Sequence, residues 1–193
     1  ARIAVYRPAY GLWAVRGWSR FYFGGPSFLP VPADYDGSGA ARPAVFEPRT
    51  GRWALRGGSS FYFGRGGDRA IPGDYRGDGT VLPAVRRAPT GLWAVRGLTR
   101  RYFGRGDDLP VPADYDGDGR TDLAVYRPAT GCWAVSGQSR YYFGSRDDRP
   151  LPVDYTGDGT AVPAIFRPAT GLWAVRSRTR LYFGGSADIP LSR

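Results

Sequence analysis

The sequence predicts an all-β protein, a five-bladed β-propeller of four-stranded antiparallel blades. Three observations support this prediction. The 193 residues equal five copies of a 40-residue unit less seven residues, each unit holds four short segments rich in Trp, Tyr, Phe and Val, and Gly or Pro bounds every segment. A period of this length with strand-like segments is typical of sheets repeated around an axis, and it excludes a helical bundle, a two-domain enzyme and a disordered tail.

The units form one domain, residues 1–193, with boundaries at 1–40, 41–80, 81–120, 121–160 and 161–193. A unit begins with segment B (AVYRP), continues with C (WAVRG) and D (ending in YFG), and finishes with a Pro-rich segment A (PVPADY) that precedes B of the next unit. B and C lack a polar and apolar alternation, which indicates sheets covered on both faces. In a meander of this order, the AB and CD turns share one rim.

The seven absent residues predict how the ring closes. They correspond to residues 34–40 of the first unit, the loop between A and B, so the chain opens with a B segment and ends with residues 189–193 as a candidate A segment. We expect this terminal segment to pair with strand B near Ile3 and Arg7. Such pairing removes an exposed sheet edge.

Composition argues against catalysis. The 27 basic residues are all Arg, His is absent, and Cys132 is the single Cys. Without His, the Ser-His, Cys-His and His-metal sites cannot form. A carboxylate-based glycosidase needs two free acids, but Glu47 is the sole Glu and nearly all Asp residues belong to repeated turns. The sequence therefore predicts a protein that is not an enzyme.

The formal charge of +10 is spread over the five units and is not gathered in one arm or helix. Nucleic-acid binders usually concentrate their basic residues, so we expect no nucleic-acid partner. No apolar stretch is long enough to span a bilayer, so we expect no membrane insertion.

The most specific motif is the nine-residue loop DYDGDGRTD. It places carboxylates at its first, third, fifth and ninth positions, and Arg120 at the seventh offers a backbone carbonyl. Calcium prefers six to eight oxygen ligands, which such alternation can aim at one centre. The predicted ligands are Asp114, Asp116, Asp118, Arg120 and Asp122. The alternative is that Gly-Asp-Gly forms a hairpin turn in which Asp accepts local backbone hydrogen bonds.

The three sister loops have lost ligands. The loop at 34–42 has Ser38 and Arg42 at the fifth and ninth positions, the loop at 74–82 has Arg76 at the third, and the loop at 154–162 has Thr156 there. An Arg at a ligand position places a positive charge where the ion would lie. We therefore expect one calcium site and three structural turns.

Residues 111–131, VPADYDGDGRTDLAVYRPATG, resemble the FG-GAP and VCBS-type repeats of bacterial secreted and surface proteins and of integrin α-subunit propellers. The resemblance extends over nearly the whole chain at the level of blades. It implies a β-propeller with calcium in the AB loops that serves adhesion or ligand binding, and a secreted or cell-surface location in a bacterium. Some bacterial propellers with similar repeats are lectins that bind sugars between blades.

Aromatic residues supply the candidate ligand contacts. One Trp recurs every 40 residues, at Trp13, Trp53, Trp93, Trp133 and Trp173. Packing between blades is the first interpretation, and a platform on which a sugar stacks is the second. Trp18 lies in a CD turn where the other units have different residues, so it is a candidate exposed contact. The Tyr-Phe-Gly column is expected to belong to the core.

Two functions are compatible with these features. The first is a non-enzymatic binding propeller, lectin-like, with repeated sites between blades and stabilised by calcium. The alternative is a purely structural or adhesion module, or an engineered repeat scaffold, with no ligand beyond calcium. The expected partner is a glycan or a surface protein, and the expected state is a monomer.

Overall fold

Nineteen short strands form the sheets of the computed structural model, which describes residues 4–17, 19–138, 140–186 and 188. They form five antiparallel sheets, arranged as the five blades of a β-propeller, and the predicted fold class is confirmed. Two single 3-10 turns, Pro8–Tyr10 and Ala88–Thr90, join strands within blades. No helix in the described ranges is long and apolar enough to cross a membrane.

The strands follow the same order in every blade. Blade 1 contains β1 (Ala4–Arg7), β2 (Leu12–Val15) and β3 (Ser19–Tyr22). Blade 2 contains β4 (Leu29–Pro30), β5 (Ala44–Glu47), β6 (Arg52–Leu55) and β7 (Ser60–Tyr62). Blade 3 contains β8 (Arg69–Ala70), β9 (Ala84–Arg87), β10 (Leu92–Val95) and β11 (Thr99–Tyr102). Blade 4 contains β12 (Leu109–Pro110), β13 (Ala124–Arg127), β14 (Cys132–Val135) and β15 (Tyr141–Tyr142), and blade 5 contains β16 (Arg149–Pro150), β17 (Ala164–Arg167), β18 (Leu172–Val175) and β19 (Thr179–Tyr182).

The first strand of a complete blade is shorter than the sequence predicts. In blade 4, Leu109 and Pro110 pair with Tyr126 and Val125, and one isolated bridge joins Ala113 to Asp122 further along. Proline lacks an N–H donor, so the alternating prolines of segment A cannot support a continuous ladder. The bridge nevertheless holds the base of the Asp loop against the blade.

Blade 1 has three strands within the described ranges, β1, β2 and β3. The predicted fourth strand, residues 189–193, and its expected partner Ile3 lie outside the described residues. The closure of the ring through the chain termini therefore stays a prediction.

The core lies between neighbouring blades. At the junction of blades 3 and 4, Trp93 from β10 packs in one buried cluster with Val125 and Ala134 from β13 and β14. The second strands of blades 2 to 5 are buried on both faces at their first three residues, as the absence of alternation predicts.

Three junctions also contain a buried ion pair. An Asp from the loop that leaves one blade accepts two hydrogen bonds from an Arg at the end of the second strand of the next blade. The pairs are Asp68 with Arg87, Asp108 with Arg127 and Asp148 with Arg167. At the junction of blades 1 and 2, Phe28 and Glu47 occupy these positions, and Glu47 instead accepts hydrogen bonds from Ser27 and Thr50.

The AB loops and the CD turns meet at one rim of the propeller, as predicted. In blade 4, Nε2 of Gln138 in the CD turn lies 3.4 Å from Oδ2 of Asp116 in the AB loop. In blade 5, Arg178, at the position of Gln138, lies 3.8 Å from Asp158, at the position of Asp118.

Candidate functional site

The Asp loop of blade 4 takes its shape from its first residue. The carboxylate of Asp114 accepts hydrogen bonds from the backbone N–H groups of Gly117 (2.7 Å) and Gly119 (2.8 Å). Both glycines have φ near +80°, a conformation that side chains disfavour, so Gly is needed at these positions. The N–H of Asp122 donates to the carbonyl of Ala113 (2.8 Å) and closes the loop.

Three of the predicted ligands come together in this loop. Carboxylate oxygens of Asp114, Asp116 and Asp122 all lie within 4.8 Å of one another. Asp118 is not part of this group, and its Oδ1 accepts the N–H of Arg120 (2.8 Å). The structure thus places Asp118 at the turn and not with the other three carboxylates.

The cluster is electrostatically strained. Burial raises the pKa of Asp122, and the charges of Asp116, Asp118 and Asp114 raise it further. Two hydrogen bonds offset part of this effect on the carboxylate. Oδ2 of Asp122 accepts the backbone N–H of Tyr115 (3.0 Å) and the side-chain Nε2–H of Gln138 (3.3 Å). Sequence reasoning missed Gln138, since it stands in a variable turn position where no other unit has Gln.

The first sister loop replaces the cluster by an ion pair. Arg42, at the ninth position, contacts the carboxylate of Asp36 at the third position. Its guanidinium therefore neutralises the acid that would otherwise face a cation. The first residue, Asp34, still accepts the N–H of Gly39 (2.6 Å), as Asp114 does from Gly119 in blade 4.

The other two sister loops form the same hydrogen-bonded turn. Asp74 and Asp154 accept backbone N–H donors in the same way as Asp114. The N–H groups of Gly159 and Thr156 lower the pKa of Asp154 to about 2. Across the residues that the structure describes, Asp114, Asp116 and Asp122 are the single group of three acids with metal-ligand spacing.

The Trp column lies inside the molecule. Trp13, Trp53, Trp93 and Trp133 are at most 4% exposed, and each indole N–H donates to the backbone carbonyl of a Phe ten residues later. A stacking ligand therefore has no free indole face in these four blades, which corrects the interpretation of these residues as sugar platforms. Trp173 makes the same hydrogen bond but is only partly buried. Trp18 lies outside the described residues.

The Tyr of the Tyr-Phe-Gly column is exposed, which corrects its assignment to the core. One Tyr in each blade has between 72% and 75% of its surface in solvent, namely Tyr22, Tyr62, Tyr102, Tyr142 and Tyr182. In four blades an exposed Arg stands two residues earlier, on the same face of the strand, and these are Arg20, Arg100, Arg140 and Arg180. The outermost strands thus present a repeated pair of an aromatic ring and a guanidinium.

Comparison of the chain with family models, with curated proteins and with solved structures finds no match. The resemblance of residues 111–131 to FG-GAP and VCBS-type repeats therefore stays a prediction from the sequence.

Proposed function

We propose that this chain is a non-enzymatic β-propeller that binds one calcium ion in the loop from Asp114 to Asp122 and acts as a binding or structural module. The observation that carries the proposal is the approach of the Asp114, Asp116 and Asp122 carboxylates to within 4.8 Å of one another. Oxygen donors of this kind suit a hard divalent cation, and the loop resembles those of calcium-binding propellers.

The loop contains more carboxylates than a hydrogen-bonded turn needs, which favours a bound cation. A turn needs the carboxylate of Asp114 alone, as the sister loops demonstrate with Asp74 and Asp154. Asp116 and Asp122 add negative charge that the turn does not require, and Asp122 is partly buried beside it. A bound cation would relieve the repulsion that raises the pKa of Asp122.

A bound ion would join two strands. Asp114 follows β12 and Asp122 precedes β13, so the ion would fix the connection between the first and second strands of blade 4. We expect its effect to be stabilisation of the fold, because a ligand that binds the folded chain raises its unfolding temperature.

The test is thermal unfolding in calcium and in chelator. The unfolding temperature of the whole chain should rise with calcium, and Asp116→Asn should remove this rise while preserving the acceptor for the Asp118 N–H. The matched control is Asp78→Asn in a sister loop, which should leave the calcium effect intact. An unfolding temperature that calcium does not change would refute the proposed site.

Carbohydrate binding is a second candidate, supported by the exposed Tyr column and not by the Trp column. A flat aromatic face with nearby hydrogen-bond donors is what a sugar contact requires, and Tyr102 with Arg100 offers both on one face of β11. Four such sites would act through multivalency, since each is shallow.

A glycan array separates this candidate from a purely structural module. Binding that falls on Tyr102→Ala together with Tyr142→Ala, but not on Trp173→Phe, would support the Tyr surface. A blank array would favour the module with no ligand beyond calcium.

A further inference from the structure

The net positive charge of the chain lies in one repeated stretch. Each unit has nine residues that cover the CD turn, the last strand of the blade and the Gly after it, and these stretches are 16–24, 56–64, 96–104, 136–144 and 176–184. They contain ten of the 27 Arg and none of the 17 acidic residues. The rest of the chain holds as many Arg as acids, 17 of each. The formal charge of +10 therefore belongs to these stretches alone.

The charged stretches lie at the periphery of the propeller. The last strand of every blade is at one edge of its sheet. At the opposite edge, the first strands of blades 3, 4 and 5 line one shared cavity of about 700 Å³. Strands of three blades can line one cavity only where the blades converge, so the last strands lie on the outside. We call the surface formed by the described residues of the five stretches the outer wall.

The Arg side chains of the outer wall are accessible and largely uncompensated. All ten are exposed. Arg178 lies 3.8 Å from Asp158, and no other Arg of the wall forms an ion pair among the residues that the structure describes. A surface of one sign attracts ligands of the opposite sign and raises their local concentration.

Three of these guanidinium groups are held in place by the preceding blade. Each stacks over an aromatic ring of that blade, at 4.0 to 4.5 Å from the ring centroid. The pairs are Arg56 on Phe21, Arg96 on Phe61 and Arg176 on Tyr141. A stacked guanidinium keeps the N–H groups at its edge for an anion, and a group that is already ordered loses less entropy on binding.

An aromatic ring stands beside the charge in four blades. Arg100 and Tyr102 lie two residues apart on β11, so both project from one face of the sheet, and Tyr102 is 74% exposed. The equivalent pairs are Arg20 with Tyr22, Arg140 with Tyr142 and Arg180 with Tyr182. Residues two apart in a strand are separated by about 7 Å. This distance suits a sugar ring that stacks on Tyr while its acidic substituent reaches the Arg.

Building on the carbohydrate-binding candidate given above, we propose that the outer wall binds an acidic polysaccharide, with sugar rings on the exposed Tyr and with carboxylate or sulfate groups on the Arg. Charge complementarity requires an anion, and a polymer can contact several blades at once. A single-stranded nucleic acid fits less well. Proteins that bind it supply aromatic side chains for successive bases, whereas each blade has one strongly exposed Tyr on its last strand.

Binding to immobilised polysaccharides tests this proposal with the whole chain. Polygalacturonate, which carries carboxylates, and dextran sulfate, which carries sulfate esters, should each bind about tenfold or more tightly than neutral dextran. The tighter of the two identifies the acidic group that the wall prefers. Neutral and acidic polymers that bind equally would overturn the acidic class and leave the carbohydrate-binding candidate in place. A chain that binds none of the three would overturn the proposal, while the neutral sugars of the glycan array still test carbohydrate binding itself.

Charge removal locates the binding surface. The combined changes Arg20→Gln, Arg100→Gln and Arg140→Gln should weaken binding to both acidic polymers by about tenfold or more, since they remove exposed charges from the outer wall. The matched control removes the same charge from exposed loops elsewhere, with Arg49→Gln, Arg105→Gln and Arg146→Gln. The control should retain most of the affinity. Equal losses in the two triple variants would show that overall charge attracts the polymer and would overturn the assignment to the outer wall.

Ring removal separates a polysaccharide from a nucleic acid. Tyr102→Ala with Tyr142→Ala leaves the charge of the wall unchanged and should weaken binding to polygalacturonate by about fivefold, because the stacking surfaces are lost. A single-stranded oligothymidylate with the same number of charges should bind more weakly than polygalacturonate. An oligothymidylate that binds as tightly or more tightly would identify the wall as a nucleic-acid surface and would overturn the proposal.

Discussion

Arg127 donates from Nε to Oδ1 of Asp108 (2.8 Å) and from Nη2 to Oδ2 of the same carboxylate (3.0 Å), beside the pairing of Leu109 with Tyr126 that begins blade 4. The Asp108 side chain is fully buried and the Arg127 side chain is one quarter exposed. Charge-assisted, bidentate pairs of this type are geometrically specific. The pair therefore anchors the loop that arrives from blade 3 to the second strand of blade 4, and its copies anchor the equivalent loops of blades 3 and 5.

Removing the acid at the junction of blades 4 and 5 should destabilise the propeller. Asp148→Asn leaves the guanidinium of Arg167 without its carboxylate, and we expect a loss of roughly 2–3 kcal/mol in unfolding free energy, since Arg167 is partly exposed. Asp147→Asn, at the exposed neighbouring position, is the control and should change stability little. Urea unfolding measures the unfolding free energy of both variants. Equal losses in Asp148→Asn and Asp147→Asn would contradict a stabilising role for the Asp148–Arg167 pair.

The same carboxylate should make stability depend on pH. Burial alone would raise the pKa of Asp148, but hydrogen bonds from Arg167 and Ser145 outweigh it and hold the pKa below its usual range. Its contribution is therefore complete above the unfolded-state pKa of about 4 and is lost as the pH falls through the lower native value. The stability difference between the natural chain and Asp148→Asn should shrink in acid, and a difference that grows there would contradict this assignment.

Replacing a Trp of the buried column by Ala should destabilise the protein far more than replacing a Tyr of the exposed column. Trp93→Ala opens a cavity in the junction of blades 3 and 4 and removes the hydrogen bond to the Phe103 carbonyl, so we expect a loss of about 3–5 kcal/mol. Tyr102→Ala removes an exposed ring and should cost no more than about 0.5 kcal/mol. Comparable losses in chemical denaturation would mean that the Tyr ring is buried in solution.

Arg86 is a buried charge in an aromatic column. Its sister residues are Tyr6, Phe46, Tyr126 and Phe166. Nη1 of Arg86 donates to the Asp108 carbonyl (2.8 Å) and Nη2 contacts the Arg105 carbonyl, but Nε has no partner among the described residues, and burial lowers the pKa of the guanidinium.

Replacing this charge should stabilise the protein. In Arg86→Tyr, the introduced hydroxyl can reach the Arg105 carbonyl as Tyr126 reaches the Ser145 carbonyl (2.6 Å), and we expect a gain of about 1–2 kcal/mol. Arg86→Phe, which lacks the hydroxyl, should gain less. A loss of stability in both variants, measured by urea unfolding, would show that the guanidinium bonds outweigh the cost of burial.

A second calcium site should be obtainable by repair of the first sister loop. Ser38→Asp with Arg42→Asp restores carboxylates at the fifth and ninth positions and removes the ion pair that neutralises Asp36. Calcium titration should then show one more bound ion than in the natural chain. Ser38→Asp alone retains Arg42 and is the control. A double variant with unchanged stoichiometry would contradict the explanation given for the loss of the sister sites.

The sequence predicts the strands well because they recur: a strand at Ala124–Arg127 implies one at Ala164–Arg167. It also predicts the convergence of Asp114, Asp116 and Asp122, since alternate residues of a tight loop lie together. The exposure of Tyr102 was not predictable, because adjacent aromatic residues point to opposite faces and only the register decides which is buried. Contacts of unrepeated residues such as Gln138, and the exposure of Val5 at the end of the array, depend on tertiary arrangement.

Calcium stoichiometry is the most direct test of the central claim that one loop of this propeller has kept a metal site. Isothermal titration of the whole chain should give one bound calcium ion, with binding removed by Asp116→Asn and preserved in Asp78→Asn. Absence of binding heat, or binding by the sister loops as well, would contradict the account.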